Sequence, residues 1–233
     1  MIVILLPPSE GKASGGTAPG WEPAAGRFPQ LAPRRLRVAN ALKRARGGNA
    51  GTLGASGALL ADARASNRAL VGAPTLPAWQ RFTGVVWEHI GIADLGASGL
   101  TRARDGIVVV SALTGLSAWE DPVPDFRLKF SATLAPMGRL ANFWRGPLSD
   151  LLNDHLAGQT VIDLLPNEHR GAWVSDPTRY DLVRPILATP DGKPAGHAAK
   201  ATKGKLTRAL LQSGNATRTL ASFDPGALVL TVE

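Results

Sequence analysis

The chain has 233 residues, 44% of them hydrophobic, with 26 lysines and arginines against 18 acidic residues. This length allows one large domain or two small ones with a sizeable core, and the absence of cysteine excludes disulfides and thiolate metal sites. No apolar run approaches the roughly 18 residues of a membrane span, and Met1 leads into an apolar run without the basic segment of a signal peptide. We therefore expect a cytoplasmic protein with no membrane partner.

The formal net charge of +8 is typical of proteins with anionic partners such as nucleic acid, nucleotides or phosphorylated metabolites. The alternative is a solvated surface, because the chain is rich in Ala, Gly and Arg. Lysine is more informative, since four of only seven lysines fall in one stretch, at Lys193, Lys200, Lys203 and Lys205. Lysine is a compact point charge whose pKa its surroundings adjust, so this stretch is a candidate for anion binding or proton transfer.

The chain begins MIVILLPPSEGK, an apolar run that ends in two prolines and four functional residues. Ile2–Leu6 reads as a strand buried on both faces, and Pro7 and Pro8 end it because they cannot donate to a ladder. Ser9–Lys12 then emerges at the carboxyl end of the strand, where ligands of open sheets usually bind. The alternative is an ordinary solvated turn.

The rest of the chain alternates helices and strands irregularly. Residues 13–33 are rich in Gly and Pro and predict a long loop. Helices are expected at 34–46, 56–70, 147–156 and 200–212. Strands are expected at 107–111, 160–165 and 227–232, and segments 183–188 and 193–198 flank a hairpin turn, TPDG. The segment RFTGVVWEHI mixes β-branched and aromatic residues around a glycine. The pattern predicts one α/β or α+β domain with a mixed sheet flanked by helices.

Three of the predicted strands share a pattern, because each is a short apolar run followed by a polar turn. The turns read PPSEGK, SALTG…ED and PNEHRG. If the strands pair in parallel, the turns lie along one edge of the sheet and can converge. We therefore expect one cleft lined by Ser9, Glu10, Lys12, Arg127, Glu168, Lys200 and Lys203.

Several familiar motifs are absent. SEGKAS is not a phosphate-binding loop, because Leu6 stands where the motif requires glycine and Ala13 where it requires Ser or Thr. No dinucleotide-binding glycine fingerprint follows a strand, and the four histidines lack metal-ligand spacing. The sequence therefore predicts no metal and no cofactor.

The C-terminal stretch AKATKGKLTRALL predicts an amphipathic helix. Lys200 and Lys203 are three residues apart and share a face near the helix start. Positive charge at a helix N-terminus opposes the macrodipole, which an anion bound at the free amides would offset. The alternative is a solvated helix turn.

Together these segments resemble the peroxide stress protein YaaA family, also known as DUF328 or UPF0246. The resemblance runs the length of the chain and rests on the order and spacing of LLPPSEGK, RFTGVVWEHI, SALTGLSAWEDPVPDFRLKF, FW, VIDLLPNEH and KATKGKLTRALL. It implies one α/β domain over residues 1–233 with a positively charged cleft. It also implies DNA binding, associated with a helix-hairpin-helix-like element, and a cytosolic role in peroxide stress that limits free iron.

The family motifs match individual residues of this chain. The matching positions are Ser9, Glu10, Lys12, Asp121, Arg127, Trp144, Glu168, Lys200, Lys203, Gly204 and Arg208. The chain departs from the family where Ala198-Ala199 replaces an aromatic-Asn pair, where His169 replaces an aromatic residue, and between 215 and 226, where it is shorter. The two alanines remove a stacking face and an amide, so the shared ligand or its orientation is open.

Two function classes remain open, and so does the oligomeric state. The first is a protein that binds DNA or another phosphate or nucleobase ligand through Ser9, Gly11, Arg127, Lys129, Trp144, Lys200, Lys203, Gly204 and Arg208. The second is an enzyme on a nucleobase- or nucleoside-derived substrate, for example a transferase using adenine nucleotides or S-adenosylmethionine. Its catalytic groups would be Glu10, Lys12, Glu168 and Lys200, with Ser9 in the same active site. The alternative for the acids is a salt bridge to Lys12 and Arg127.

Overall fold

The structure is a computed structural model that describes residues 1–233. The strands are β1 (Ile2–Leu6), β2 (Thr75–Pro77), β3 (Ile107–Ser111), β4 (Gly115–Ala118), β5 (Pro122–Pro124), β6 (Thr133–Leu134), β7 (Gly138–Arg139), β8 (Thr160–Asp163), β9 (Asp181–Val183), β10 (Pro185–Ala188) and β11 (Val229–Val232). The helices are α1 (Ala32–Arg44), α2 (Ala50–Leu53), α3 (Gly57–Arg68), α4 (Ala78–Arg81), α5 (Val85–Ile90), α6 (Gly96–Gly106), α7 (Leu140–Leu156), α8 (Asn167–Arg170), α9 (Gly196–Ser213) and α10 (Ala216–Ser222).

A five-stranded mixed sheet with the order β4-β3-β1-β8-β9 organises the fold. Strand β1 lies between β3 and β8 and is parallel to both, while β4 is antiparallel to β3. Val3–Leu6 of β1 are at most 1% exposed, as expected for a central strand that has a neighbour on each side and belongs to the core. The predicted mixed sheet and the parallel pairing of the three apolar strands are confirmed.

The three strands do not all deliver their turns to the same place. The carboxyl ends of β1 and β8 lie side by side, so the SEGK and PNEH turns are neighbours. Strand β3 instead folds back at once into β4, and Ser111, Thr114 and Ser117 bond to one another in the buried turn. The guanidinium of Arg35 covers this turn by donating to the carbonyls of Thr114 and Leu116, both at 2.8 Å.

The strand expected at 193–198 is absent, α7 begins at Leu140 rather than at residue 147, and one segment without a predicted element is helical. RFTGVVWEHI contains the end of α4 and all of α5, with Gly84 capping the second helix. The TPDG turn forms, since the Thr189 amide donates to the Lys193 carbonyl at 3.0 Å. Residues 193–198, however, do not continue as a strand. They make a single bridge at Pro194, which has no N–H to extend a ladder, and α9 begins at Gly196. The partner of β10 is β11.

A continuous cluster of buried apolar side chains joins the sheet to α1, α5, α6, α7 and α9. Helix α9 packs directly on α5, with Gly204 at the closest approach. This contact brings the start of α9 over the carboxyl ends of β1 and β8. None of the helices combines the length and the apolar character that a membrane span requires.

Candidate functional site

A cavity of about 370 Å³ opens where β1 and β8 end, and we call it the strand-edge cleft. Its walls come from the SEGK turn, the start of α5, residues 127–129, the turn after β8 and the first turns of α9. Its charged lining side chains are Glu10, Lys12, Arg127, Lys129, Glu168, Lys200 and Lys203. The seven residues predicted to share one cleft therefore do so, together with Gly11 and Lys129.

The SEGK turn is held in shape by the segment that precedes α5. The Thr83 amide donates to the Gly11 carbonyl at 3.3 Å and to Ser9 Oγ at 3.1 Å. The Ser9 hydroxyl in turn donates to the carbonyl of Gly11, and Trp87 Nε1 donates to that of Pro7 at 3.2 Å. The hydroxyl of Ser9 is thus committed to the backbone of the turn.

Lys12 is a half-buried amine on an aromatic surface. Its Nζ donates to the Ser9 carbonyl at 2.8 Å and lies 4.4 Å from the centre of the Phe126 ring. Burial lowers the pKa of Lys12 to about 8, an effect that the nearby Asp125 carboxylate partly opposes. The amine therefore changes charge close to neutral pH, unlike an ordinary surface lysine.

Glu10 is clamped between two cations. Its carboxylate contacts Arg127 Nη2 at 2.9 Å and Lys129 Nζ at 3.0 Å, although the side chain is 63% exposed. The hydrogen bond from Lys129 is the main cause that holds the pKa of Glu10 below its usual value. These salt bridges agree with the alternative in which the acid balances Arg127. They do not include Lys12, whose amine bonds elsewhere.

The position of Arg127 is fixed independently of Glu10. Its guanidinium also donates to the carbonyls of Leu53 and Gly54 at the end of α2, at 3.0 and 3.3 Å. The side chain of Asn67, fully buried, pairs with both the amide and the carbonyl of Arg127, at 3.1 and 2.9 Å. The cation is therefore in place before any ligand arrives.

Lys203 lines the cleft at the end of β8. Its Nζ donates to the Leu164 carbonyl at 2.8 Å. Burial and then the charge of Arg170 lower the pKa of Lys203 to about 8, while Asp163 raises it. Asp163 is fully buried and binds Arg170 and Arg184, at 2.9 and 3.2 Å.

Glu168 and His169 form the end of the cleft below α9. His169 Nδ1 lies 3.7 Å from Glu168 Oε1, too far for a hydrogen bond, and the ring packs edge-on against Phe130. Burial, and secondly the charge of Lys203, lower the pKa of His169 to about 4. In the sequence, His169 stands out only as a departure from the family pattern. Its place directly after Glu168 in PNEHRG was the signal that could have identified it as a lining residue.

Three predicted ligand residues lie outside the cleft. Trp144 is fully buried and donates from Nε1 to the Ala112 carbonyl at 2.9 Å. Gly204 faces α5, and Arg208 pairs with Asp94 at 3.2 Å. The structure gives each of the three a packing or pairing role instead. No three His, Asp or Glu side chains lie close enough together to hold a metal ion.

The fold and the site define a mixed-sheet α/β protein with a charged cleft at the ends of its parallel strands. A family model described as Peroxide stress protein YaaA matches residues 1–228, and the chain belongs to this family. A UPF0246 protein of Streptomyces coelicolor is 32% identical over 222 residues, which cover 92% of this chain and 85% of the relative. A UPF0246 protein of Corynebacterium glutamicum is 32% identical over 91% of this chain and 86% of its own length.

Proposed function

We propose that the strand-edge cleft binds a small anionic ligand with a phosphate group and a nucleobase. The observation that carries this proposal is the convergence of five cationic side chains on one cavity with apolar and aromatic walls, among them Trp87. The volume of about 370 Å³ falls in the range of small-molecule sites. A DNA duplex is much wider than this cavity, so the geometry favours a nucleotide-sized ligand.

The lowered pKa values of Lys12 and Lys203 support the same proposal. Burial makes the charged form of each amine costly, and their neighbours offset only part of that cost. A bound phosphate would stabilise the ammonium form of both groups and raise their pKa values again. The clamp of Arg127 and Lys129 would supply a second anion-binding position, because Arg127 is fixed by backbone carbonyls.

An enzymatic role is the natural extension of this proposal. An amine with a pKa of about 8 exchanges protons readily at physiological pH, as general acid-base catalysis requires. Lys12 and Lys203 would serve in this role on a nucleoside-derived substrate, and Lys200 and Glu168 line the same cavity. Glu10 fits a catalytic role less well, because both its oxygens bind cations.

DNA is the second candidate partner, and the charge distribution favours a different surface for it. Residues 27–68 contain nine of the lysines and arginines and a single acid, Asp62. The net charge of this segment, +8, equals that of the whole chain. Exposed Arg37, Arg44 and Arg46, on α1 and just after it, form no ion pair. We propose this α1–α3 face as the surface for phosphate contacts and extend the family's peroxide stress role to this chain.

Calorimetric titration tests the cleft proposal. AMP, GMP, S-adenosylmethionine and inorganic phosphate are titrated into the wild type and into Arg127→Ala and Lys203→Ala, with exposed Arg218→Ala as the matched control. We expect at least one nucleotide to bind the wild type and the control, and the cleft variants to bind about tenfold or more weakly. Equal binding by all four proteins, or no binding by the wild type, would overturn the proposal. Mass spectrometry of the same mixtures reports turnover.

Salt titration of a labelled duplex tests the DNA candidate. The affinity should fall steeply as salt rises, because binding releases counterions from the phosphates. The triple variant Arg37→Ala, Arg44→Ala, Arg46→Ala should show a shallower salt dependence, whereas Lys203→Ala should not. The reverse result would place DNA in the cleft.

A further inference from the structure

The carboxylate of Glu168 is unpaired in a cavity that contains five cations. It accepts no hydrogen bond from any group of the chain, and the only basic side chain within 4 Å of it is that of His169. Lys203 lines the same cavity but donates to the Leu164 carbonyl instead. Glu10, the other lining acid, has both oxygens bound. The two acids therefore have opposite roles, because one is neutralised by the protein and the other is free to accept hydrogen bonds.

The neighbouring His169 adds a second unsatisfied group. The residue is 7% exposed, and its Nδ1 is buried with no hydrogen-bond partner. Leaving such an atom unpaired costs free energy unless something else satisfies it. The imidazole is neutral at physiological pH, since its pKa is about 4. Nδ1 lies 3.7 Å from Glu168 Oε1, so the neutral ring and the carboxylate lie side by side in the cleft.

The cleft is thus lined by two chemically different groups of residues. The clamp of Arg127 and Lys129 holds an anion, the Glu10 carboxylate, whereas Glu168 offers two unpaired carboxylate acceptors beside the neutral ring of His169. We propose that Glu168 and His169 form a recognition site for two adjacent N–H donors, so that the ligand is a guanine-type nucleotide. This inference rests on the proposed function and names the ligand class of the same site.

The pattern of donors on the purine bases explains the choice. A carboxylate has two oxygens side by side and accepts two parallel hydrogen bonds, as it does from an arginine fork. The guanine edge presents N1–H and the 2-amino group next to each other, and hypoxanthine presents N1–H alone. The adenine edge presents one amino group beside a ring nitrogen with a lone pair, which would face a carboxylate oxygen. The expected order of affinity is therefore GMP, then IMP, then AMP.

Calorimetric titration of these three nucleotides tests the inference, with ribose 5-phosphate as the probe that lacks a base. The wild type should bind GMP about 10- to 100-fold more tightly than AMP, as expected for hydrogen bonds to a charged group. Glu168→Gln replaces one acceptor with a donor and should reduce this ratio to about one or two. His169→Phe should reduce it less. Glu120→Gln, which removes an exposed carboxylate that pairs with Arg104 outside the cleft, should retain the full ratio.

The outcomes separate this inference from the function on which it rests. Equal affinity of the wild type for GMP, IMP and AMP would overturn the guanine preference and leave nucleotide binding in place. A guanine preference that persists in Glu168→Gln, with an unchanged melting temperature, would assign recognition to other residues and overturn the inference as well. Absence of binding by all four ligands would contradict the proposed function itself.

Discussion

Gly204 on α9 and Val86 on α5 mark the closest approach of two helices that both line the strand-edge cleft. A Cβ atom on Gly204 would lie 2.4 Å from the Val86 carbonyl oxygen and 2.6 Å from His89 Cβ. Lys200 and Lys203 are carried by α9, and α5 contributes Val86 and Trp87 to the same cleft. The absence of a side chain at position 204 therefore allows α9 to pack directly against α5.

Gly204→Ala should destabilise the protein and weaken ligand binding together. Alanine is the better helix former, but the methyl group would force the two helices apart, and such overpacking typically costs about 1–3 kcal/mol. Urea unfolding gives the loss of stability, and nucleotide titration gives the loss of affinity. Gly51→Ala, on exposed α2 with only Asn49 Oδ1 at 3.5 Å, is the control and should be neutral or slightly stabilising. A Gly204→Ala protein with unchanged stability would show that α9 and α5 accommodate the methyl group without strain.

Strand positions were predictable because the apolar runs of β1, β3 and β8 are short, β-branched and bounded by turn residues. The location of the turn after β3 was not predictable, since Ser111–Ala118 folds into a tight hairpin whose polar groups form hydrogen bonds with one another. The cleft receives Arg127 and Lys129 from further along the chain instead. Which residues a turn brings to a site depends on tertiary packing, which a single sequence does not display.

The residues of the site were likewise only partly predictable from the sequence. A charged residue in a turn is a good site prediction, because burial without a partner is costly, and seven charged residues from turns, loops and α9 do line the cleft. Trp144 was predicted from its match to the family motif, but an aromatic residue at that position serves core packing equally well. His169 was missed as a lining residue because its burial against Phe130 depends on a chain segment 39 residues away.

Phosphate affinity should fall as the pH rises through about 8. Below that pH Lys12 and Lys203 are protonated and attract the anion, and above it both become neutral in the free protein. Binding should therefore take up protons near pH 8, and affinity for a nucleotide should drop on the order of tenfold between pH 7 and 9.5. Calorimetry in two buffers of different ionisation enthalpy measures the proton uptake. A flat or rising affinity over this range would remove the two amines from the binding site.

Glu10→Gln should raise the affinity for small anions about two- to fivefold. The substitution removes a negative charge that competes for Arg127 and Lys129, and exposed ion pairs of this kind contribute less than about 1 kcal/mol. Titration with inorganic phosphate and a thermal melt of the same variant check the effect. Weaker binding with an unchanged melt would mean that Glu10 contacts the ligand directly.

Asn67→Ala should weaken ligand binding indirectly, because Asn67 holds Arg127 in position and does not itself line the cleft. The substitution leaves the amide and carbonyl of Arg127 and the carbonyl of Gly47 unpaired in a buried position, at a cost of about 1–3 kcal/mol. Denaturant unfolding measures that cost. If Asn67 acts by positioning Arg127, Asn67→Ala alone should weaken nucleotide binding. When Asn67→Ala is added to Arg127→Ala, the affinity should fall little further. Additive losses would contradict the positioning role.

A crystal structure of the protein grown with a saturating concentration of GMP tests the central claim most directly. We predict that the phosphate lies within hydrogen-bonding distance of Arg127 or Lys203 and that the base edge meets Glu168. Nucleotide density at a site outside the strand-edge cleft, with the cleft itself filled only by water, would contradict the account.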